Sequence, residues 1–358
     1  MLTFRTEKVK KGKYMKEKVM VAMSGGVDST TCAMLMLEQG YDVTGVTLHL
    51  FDGQEQALED AEKCAKQLGI KWYAADYRKF FGEDVISYFI RTYKLGKTPN
   101  PCCHCNHGAK FNYLYREMMS EGCSALVSGH YARIVEKDGK KLVAKGADTK
   151  KDQSYYLSLM EPYQLEVIRF PLGEMTKDQT RELAKKYGLT VAEKKDSQDI
   201  CFLMGQDYRD YLRSKLKEKD VRKGNFILDG KPLKEHDGIV FYTVGQRKGL
   251  GIGYHEPLYV SAIDPKSGDV HLGIKEESAR RGVKLKDCVF ADSSRYIRRA
   301  KARLRYRMQE APCTLEILPE GKAALLFDEP QLSPAPGQVA AIYEKEVLLG
   351  GGFIESVF

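Results

Sequence analysis

The sequence predicts an α/β protein: a doubly wound parallel sheet, then a small β-rich central domain, then a C-terminal β-barrel. Three observations carry this. Short apolar runs at 18–23, 42–50, 71–75 and 125–128 alternate with helical patterns, as in strands covered on both faces by crossover helices. From about Val221 the helical periodicity gives way to short alternating runs separated by Gly, Pro and Asp. In Arg299-Ala300-Lys301-Ala302-Arg303-Leu304-Arg305-Tyr306-Arg307 every odd position is basic, which at period two gives a strand with one cationic and one core face. Further strands up to Phe358, with turns at Pro336-Gly337 and Gly350-Gly351-Gly352, are enough to close a small barrel.

A chain of 358 residues has room for two or three cores, and the expected divisions are a basic tail at 1–17, an α/β unit at 18–215, a central unit at 216–282 and the barrel at 283–358. No apolar run approaches a membrane span, and the N-terminus lacks an apolar segment with a cleavage site. The expectation is a cytoplasmic protein with no membrane partner. Nine cysteines, an odd count without a secretory leader, argue against a disulfide framework and direct attention to catalytic or metal-binding thiols. The formal charge of +8 is a mild bias toward a polyanion, informative only where it is clustered.

Taken in order, residues 1–17 are Lys-rich, and Met15-Lys16-Glu17-Lys18 is an equally natural start. The apolar run at 18–23 then enters Ser24-Gly25-Gly26-Val27-Asp28-Ser29, where two glycines permit a tight turn with backbone N–H groups close to a ligand. Thr30 to Gln39 reads as a helix stopped by Gly40. Strand, turn and helix N-terminus make an anion site, because the first helical N–H groups have no partners and the dipole is positive there. It is not a Walker A loop, since no Gly-Lys-Ser/Thr follows. Asp42 to Leu50 is a second strand, Glu55 to Leu68 a helix ended by Gly69, and Lys71 to Ala75 a third strand. Leu48 lies near the end of the second.

Lys97-Thr98-Pro99-Asn100-Pro101-Cys102-Cys103-His104-Cys105-Asn106 follows. Its prolines should keep a helix from starting before about Gly108, and Cys102-x-x-Cys105 has metal-ligand spacing without a second such pair to close a zinc site. Ala125 to Ser128 is a strand that delivers Gly129-His130 to the nucleotide crevice. Lys151-Asp152-Gln153-Ser154 is a polar cluster, also readable as a helix start, and Thr176 to Tyr187 is a capped helix. Asp196-Ser197-Gln198-Asp199 leads into Ile200-Cys201-Phe202, where apolar flanks favour a buried structural thiol and the polar lead-in a catalytic one. Tyr242 to Gly253 is glycine-rich with Arg247-Lys248, a pair suited to phosphate.

The loop at 24–29 resembles the PP-loop, SGGxDS, of Rossmann-like ATP pyrophosphatases of the adenine nucleotide alpha hydrolase type. The ordered set of motifs over residues 18–358 is similar to that of the tRNA-specific 2-thiouridylases: the loop, Thr98-Pro99-Asn100-Pro101 with Cys105-Asn106, Ser128-Gly129-His130-Tyr131, residues 151–155, 196–202 and 242–249, and Pro336-Gly337-Gln338. The resemblance implies an ATP-dependent enzyme that replaces the C2 oxygen of the wobble uridine in the tRNA anticodon stem-loop with sulfur, cleaving ATP to AMP and pyrophosphate. ATP would bind Ala22, Met23, Ser24, Gly25, Gly26, Val27, Asp28, Ser29, Leu48 and Gly129, with Asp28 holding Mg²⁺ through the phosphates. Asn100, Pro101 and Cys102 would line the flipped base. His130, Lys151, Asp152, Gln153, Arg305, Tyr306 and Gln338 would contact tRNA.

Cys201 matches the residue that carries a persulfide, and Cys105 its partner in releasing sulfur. The sulfur donor would be a persulfide carrier, a cysteine desulfurase or sulfide. Many members have an Asp, a proposed acid/base, where this chain has Cys102. A thiol replaces a carboxylate poorly at neutral pH, and Cys102, Cys105 and Cys201 together offer three thiolates for a 4Fe–4S cluster. Persulfide and cluster routes both stay open here. Two other classes compete: a PP-loop ligase of a small molecule, which has no need of the basic strand, and a non-catalytic RNA-binding protein, which has no need of an intact loop.

Overall fold

Apolar residues at consecutive positions of the first strand require a layer on each side, and the computed structural model supplies both. It describes residues 16–194, 199–292 and 296–358, so most of the basic tail and Asp196-Ser197-Gln198 lie outside the described residues. The chain runs β1 (Lys18–Ala22), α1 (Val27–Glu38), β2 (Asp42–His49), α2 (Glu55–Leu68), β3 (Lys71–Asp76), α3 (Arg78–Phe81), α4 (Ser87–Lys94), α5 (Pro101–His104), α6 (Phe111–Ser120) and β4 (Ala125–Val127). A hairpin, β5 (Ala132–Lys137) and β6 (Lys140–Lys145), precedes α7 (Pro162–Val167), β7 (Ile168–Arg169), α8 (Lys177–Lys186) and α9 (Tyr208–Lys215). The first sheet is parallel throughout, in the order β3-β2-β1-β4-β7. Met20 packs with Val46, Leu114 and Leu126 on one face, while Val19 and Val21 pack with Cys32, Cys64 and Ala184 on the other. The chain leaves β1 in both directions across the sheet, so the crevice for a ligand opens beyond the ends of β1 and β4.

Helix starts differ from expectation in two places, for local reasons. Gly26 is extended at φ −107° and ψ 166°, so α1 begins at Val27 and takes Asp28 and Ser29 into its first turn. The prolines do not delay the next helix. Pro101 is its first residue, where a missing N–H costs nothing, and the Asn100 side chain caps it by accepting from Cys103 N–H. α5 then continues through a π-helical turn, Cys105–Lys110, into α6.

The central sheet has β8 (Gly224–Leu228), β9 (Lys231–His236), β10 (Tyr259–Ile263) and β11 (Val270–Gly273), in the order β10-β11-β8-β9. Then come β12 (Ala279–Phe290), β13 (Ile297–Arg303), β14 (Ala311–Leu318), β15 (Lys322–Leu332), β16 (Val339–Glu344) and β17 (Val347–Val357). These six strands close into a barrel because β12 pairs with both β15 and β17. Barrel pairing begins at Ala279, ahead of residue 283.

The basic strand is a correction. Regular pairing ends at Arg303, and residues 304–307 turn away from the sheet. Arg298 pairs with Glu344 and Arg299 with Asp328, while Arg303 lies 3.2 Å from Glu310. Asp328 on β15 and Glu310 just before β14 therefore set carboxylates against the face that the sequence alone made wholly cationic, while Arg298 belongs to the alternate face.

The first sheet and the barrel are joined in ways the sequence does not announce. β6 adds to the barrel edge beside β17, pairing Ala144 with Val347. Gln338 Nε2 donates to the carbonyls of Thr98 and Pro99 at 3.3 and 2.9 Å, and Thr98 N–H donates to Pro336 O at 2.8 Å. Gly337, at φ +94°, fits because a Cβ there would sit 2.7 Å from Thr98 O. Gly337→Ala should therefore destabilise the protein by about 1–3 kcal/mol through left-handed strain plus that contact. A lower urea midpoint at unchanged m-value is the expected readout.

Candidate active site

The loop after β1 is built to leave its N–H groups available. Ser24 N–H and Ser24 Oγ both face Ser29 Oγ, at 3.1 and 3.2 Å, which curls the loop around the start of α1. The α1 N-cap is Gly26, whose lack of a side chain leaves the helix without a side-chain cap, so the positive end of the dipole is open. Gly25 takes φ +69°, and a Cβ there would lie 2.5 Å from Ala57 O, so only glycine lets α2 back the loop. Gly129 serves similarly from β4: its Cβ would meet Asp28 and Ser29 at 3.1 Å.

Asp28 is fixed from two sides. Lys177 Nζ, at the start of α8, donates to its carboxylate oxygens at 2.7 and 2.8 Å, and Tyr131 Oη donates at 2.8 Å. Lys194 Nζ donates to Gly25 O at 2.9 Å and pairs with Asp60. Lys177 and Lys194 carry no motif that marks them beforehand, Tyr131 closes the motif at 128–131 without a role being assigned to it, and only the fold brings all three to the loop.

A cleft of about 270 Å³ opens beside this loop. Of the residues expected to bind nucleotide, Ala22, Met23, Ser24, Asp28, Ser29, Leu48 and Gly129 line it, whereas Gly25, Gly26 and Val27 stand behind them. Gln54 shapes the outer rim by donating to Leu48 O and accepting from Leu50 N–H, both at 2.9 Å. The inner wall is Lys110, Leu114, His130 and Gln153. Burial and the nearby Lys110 hold His130 well below the usual histidine range, so its ring is neutral, and Ser128 Oγ lies 2.8 Å from its Nδ1.

Lys110 links the cleft to the thiols, since it lines the one and bears on Cys102, Cys105 and Cys201. Cys102 is on α5 and Cys105 opens the π-helical turn, both partly exposed; Cys201 is exposed on a short 3₁₀ turn at Cys201–Leu203. The buried structural reading of Cys201 is thereby corrected, although Phe202 and Leu203 beside it do enter the core. Burial of the sulfur surroundings raises all three pKa values, Cys102 and Cys105 to about 12, with mutual repulsion from Cys201 adding to both. Lys110 acts in the opposite direction on each. Among the described residues, no group of three or more His, Cys, Asp or Glu side chains is placed to hold a metal ion. The three cysteines do not fit an iron–sulfur cluster in this arrangement. Asp28 offers a single carboxylate, which fits Mg²⁺ only as an ion carried on phosphates.

The residues expected at a tRNA surface fall into two groups. Asp152 is buried, accepting from Gly146 N–H, Ser154 N–H and Ser154 Oγ, and Arg303 lies 3.7 Å away. Arg305 donates to Val244 O and Ser333 O, at 2.7 and 3.0 Å, and bridges the central domain to the barrel. Gln338 clamps Thr98 and Pro99, and Gln153 accepts from Tyr131 N–H. Tyr306, half-buried, lies over Tyr156 with ring centres 4.5 Å apart, and Cys102 is among the groups around Tyr156. Asn100 is buried and donates to Tyr155 Oη at 3.2 Å. Lys151 lies in the turn before Asp152.

Three family models match in succession: "tRNA methyl transferase HUP domain" over 17–205, "tRNA methyl transferase PRC-barrel domain" over 209–274, and "Aminomethyltransferase beta-barrel domain" over 280–354. The chain is 45% identical over 351 residues to the tRNA-specific 2-thiouridylase MnmA of Syntrophotalea carbinolica, covering 95% of this chain and 100% of that one. It is 41% identical to the protein of that name from Carboxydothermus hydrogenoformans, covering 95% and 98%, and 40% identical to that from Clostridioides difficile, covering 96% and 99%. Among solved structures, U34-tRNA thiolase NcsA from Methanococcus maripaludis, which carries a 4Fe–4S cluster, aligns with a TM-score of 0.36 at 20% identity over 56% of this chain and 67% of that one.

Two outcomes follow from this geometry. Lys177→Met leaves the Asp28 carboxylate with one partner fewer in a partly desolvated position, and should cost about 1–3 kcal/mol in a denaturant titration. Because the thiolate is the nucleophile and burial keeps the thiols protonated at neutral pH, alkylation of Cys102 and Cys105 should accelerate as pH rises toward 12. Cys201, being exposed, should label first; mass-spectrometric mapping after iodoacetamide checks the order.

Proposed function

The chain belongs to the tRNA-specific 2-thiouridylase family and is a tRNA sulfurtransferase, and on that premise we propose that it activates the wobble uridine with ATP before inserting sulfur at C2. The observation that carries this reading is the continuity of the open α1 N-terminus with the thiol-bearing turn along one cleft. ATP phosphates lie on the loop N–H groups, with Ser24 and Ser29 beside them and Leu48 under the adenine. Mg²⁺, carried on the phosphates and held by Asp28, would neutralise the leaving pyrophosphate.

The uracil C2 oxygen attacks the α-phosphorus; its bond to the β-phosphate oxygen breaks, and pyrophosphate leaves. Asn100, Pro101 and Cys102 receive the flipped base, with Tyr156 and Tyr306 offering a stacking platform. Cys201 carries a persulfide whose outer sulfur comes from a donor protein of the desulfurase or carrier class; free sulfide, already reduced, would instead enter directly at the attack on C2. Cys105, as thiolate, attacks the Cys201 sulfur of that persulfide, releasing hydrosulfide and forming a Cys105–Cys201 disulfide. The terminal sulfur is reduced and the Cys105 sulfur is oxidised. Hydrosulfide then attacks C2, the C2–O bond breaks, and AMP departs with the former uridine oxygen. A dithiol reductant resets the disulfide. Cys102, protonated at neutral pH, acts beside the base as a positioning group.

The tRNA backbone, in this reading, meets exposed cations rather than the ones tied internally: Lys301, Arg307, Arg247 and Lys248. The setting is the cytoplasm. Among the described residues no helix is long and apolar enough to cross a membrane.

Radiolabelled ATP should yield AMP and pyrophosphate only with tRNA bearing an unmodified wobble uridine; ADP, or equal turnover without tRNA, would overturn adenylation. Cys105→Ala and Cys201→Ala should each abolish 2-thiouridine, while Cys102→Asp should retain it in protein without iron. Replacing Lys301 and Arg307 by Ala should reduce the slope of log K against log salt by roughly one for each phosphate no longer neutralised, whereas an unchanged slope places the RNA elsewhere.

A further inference from the structure

Three lysines border the loop and its cleft. Lys177 is held by Asp28 and Lys194 by Asp60. Lys110 is different. It closes the π-helical turn that Cys105 opens. Its side chain lines the cleft with Ser24, Asp28, Gly129 and His130. Among the described residues no carboxylate pairs with it. The charges that reach it are the three cysteines, and on the other side the neutral ring of His130. Burial accordingly holds its pKa below the usual lysine range. An ammonium left in desolvated surroundings without a carboxylate is costly, and such a charge is retained where an anion comes to meet it.

We propose that Lys110 is a catalytic cation serving two anions in turn: the α-phosphate of the adenylated uridine as AMP departs, and the sulfur anion that displaces it. The inference rests on the adenylation reading above for its first anion only. Placement explains the dual role. The π-helical turn spans six residues, Cys105 to Lys110, so the same turn that presents the thiol at its start brings Lys110 to the lining of the nucleotide cleft at its end. His130 is neutral and cannot substitute, and Lys177 is committed to Asp28. A cation between leaving phosphate and entering sulfur stabilises charge on both as it moves from one to the other.

Lys110→Met keeps the apolar stem and removes the charge; Lys110→Arg restores a charge of different shape. Two measurements separate the roles. In the protein alone, at one mildly alkaline pH, iodoacetamide labelling of Cys105 should slow several-fold in Lys110→Met and recover in Lys110→Arg. With tRNA, ATP and sulfide as the sulfur source, AMP release should fall about tenfold or more in Lys110→Met, in line with loss of one charge-stabilising group, and recover in part with Arg. Lys110→Met with unchanged labelling and unchanged AMP release would overturn the proposal. So would an Arg variant no better than Met in both assays while circular dichroism stays that of the parent, because the side chain would then matter for shape alone. If the parent protein forms no AMP, the adenylation reading fails by itself, and unchanged Cys105 labelling in Lys110→Met would then overturn the role of Lys110 toward sulfur.

Discussion

An α-helix whose N-terminus must stay uncapped has to be held in place by something other than a cap. Here the Asp28 carboxylate, inside the first turn of α1, performs that task by accepting from Lys177 on α8 and Tyr131 beyond β4. Three chain segments far apart in sequence meet at one side chain. The N-terminus of α1 is thereby held without a side-chain cap. Gly25 and Gly129 complete the arrangement by removing the Cβ atoms that would separate the loop from α2 and β4.

The barrel is a structural partner of this site as well as a separate module. Gln338 and Pro336 bond to the backbone of Thr98 and Pro99, immediately before the helix that carries Cys102 and leads into Cys105. Tyr155 donates to Val339 O while receiving a bond from Asn100, the cap of that same helix. Asp152, Ser154 and Tyr343 form a buried chain between the two units, with Arg303 alongside. A polar network of this kind is costly when half satisfied, which ties the position of the thiols to correct docking of the barrel.

Thiol chemistry in this setting depends on opposing influences. Burial pushes Cys102 and Cys105 toward the protonated form, and Lys110 pulls in the other direction. Thiols held protonated in this way are less open to adventitious oxidation. Cys201 stands apart, exposed on its own turn, where a sulfur donor could reach it.

The strand–loop–helix alternation, the glycine-rich anion site and the cysteine pair are legible in the sequence because each is written in local periodicity or in neighbouring residues. Burial on both faces of β1 leaves an uninterrupted apolar run, and two glycines before Asp28 signal a turn wherever they occur. The Pro101 helix start is not legible in the same way, because proline both stops a preceding helix and suits the first position of the next; the sequence does not say which role applies until Asn100 is seen to cap. The alternation at 299–307 is visible, but not the carboxylates Glu310 and Asp328 that face it, since strand register is set by distant pairings. Nor does the sequence announce that Arg305 donates to the carbonyls of Val244 and Ser333. Lys110, Tyr131 and Lys177 belong to the site only through tertiary packing, which alone decides which charges meet a partner and which remain directed toward a ligand.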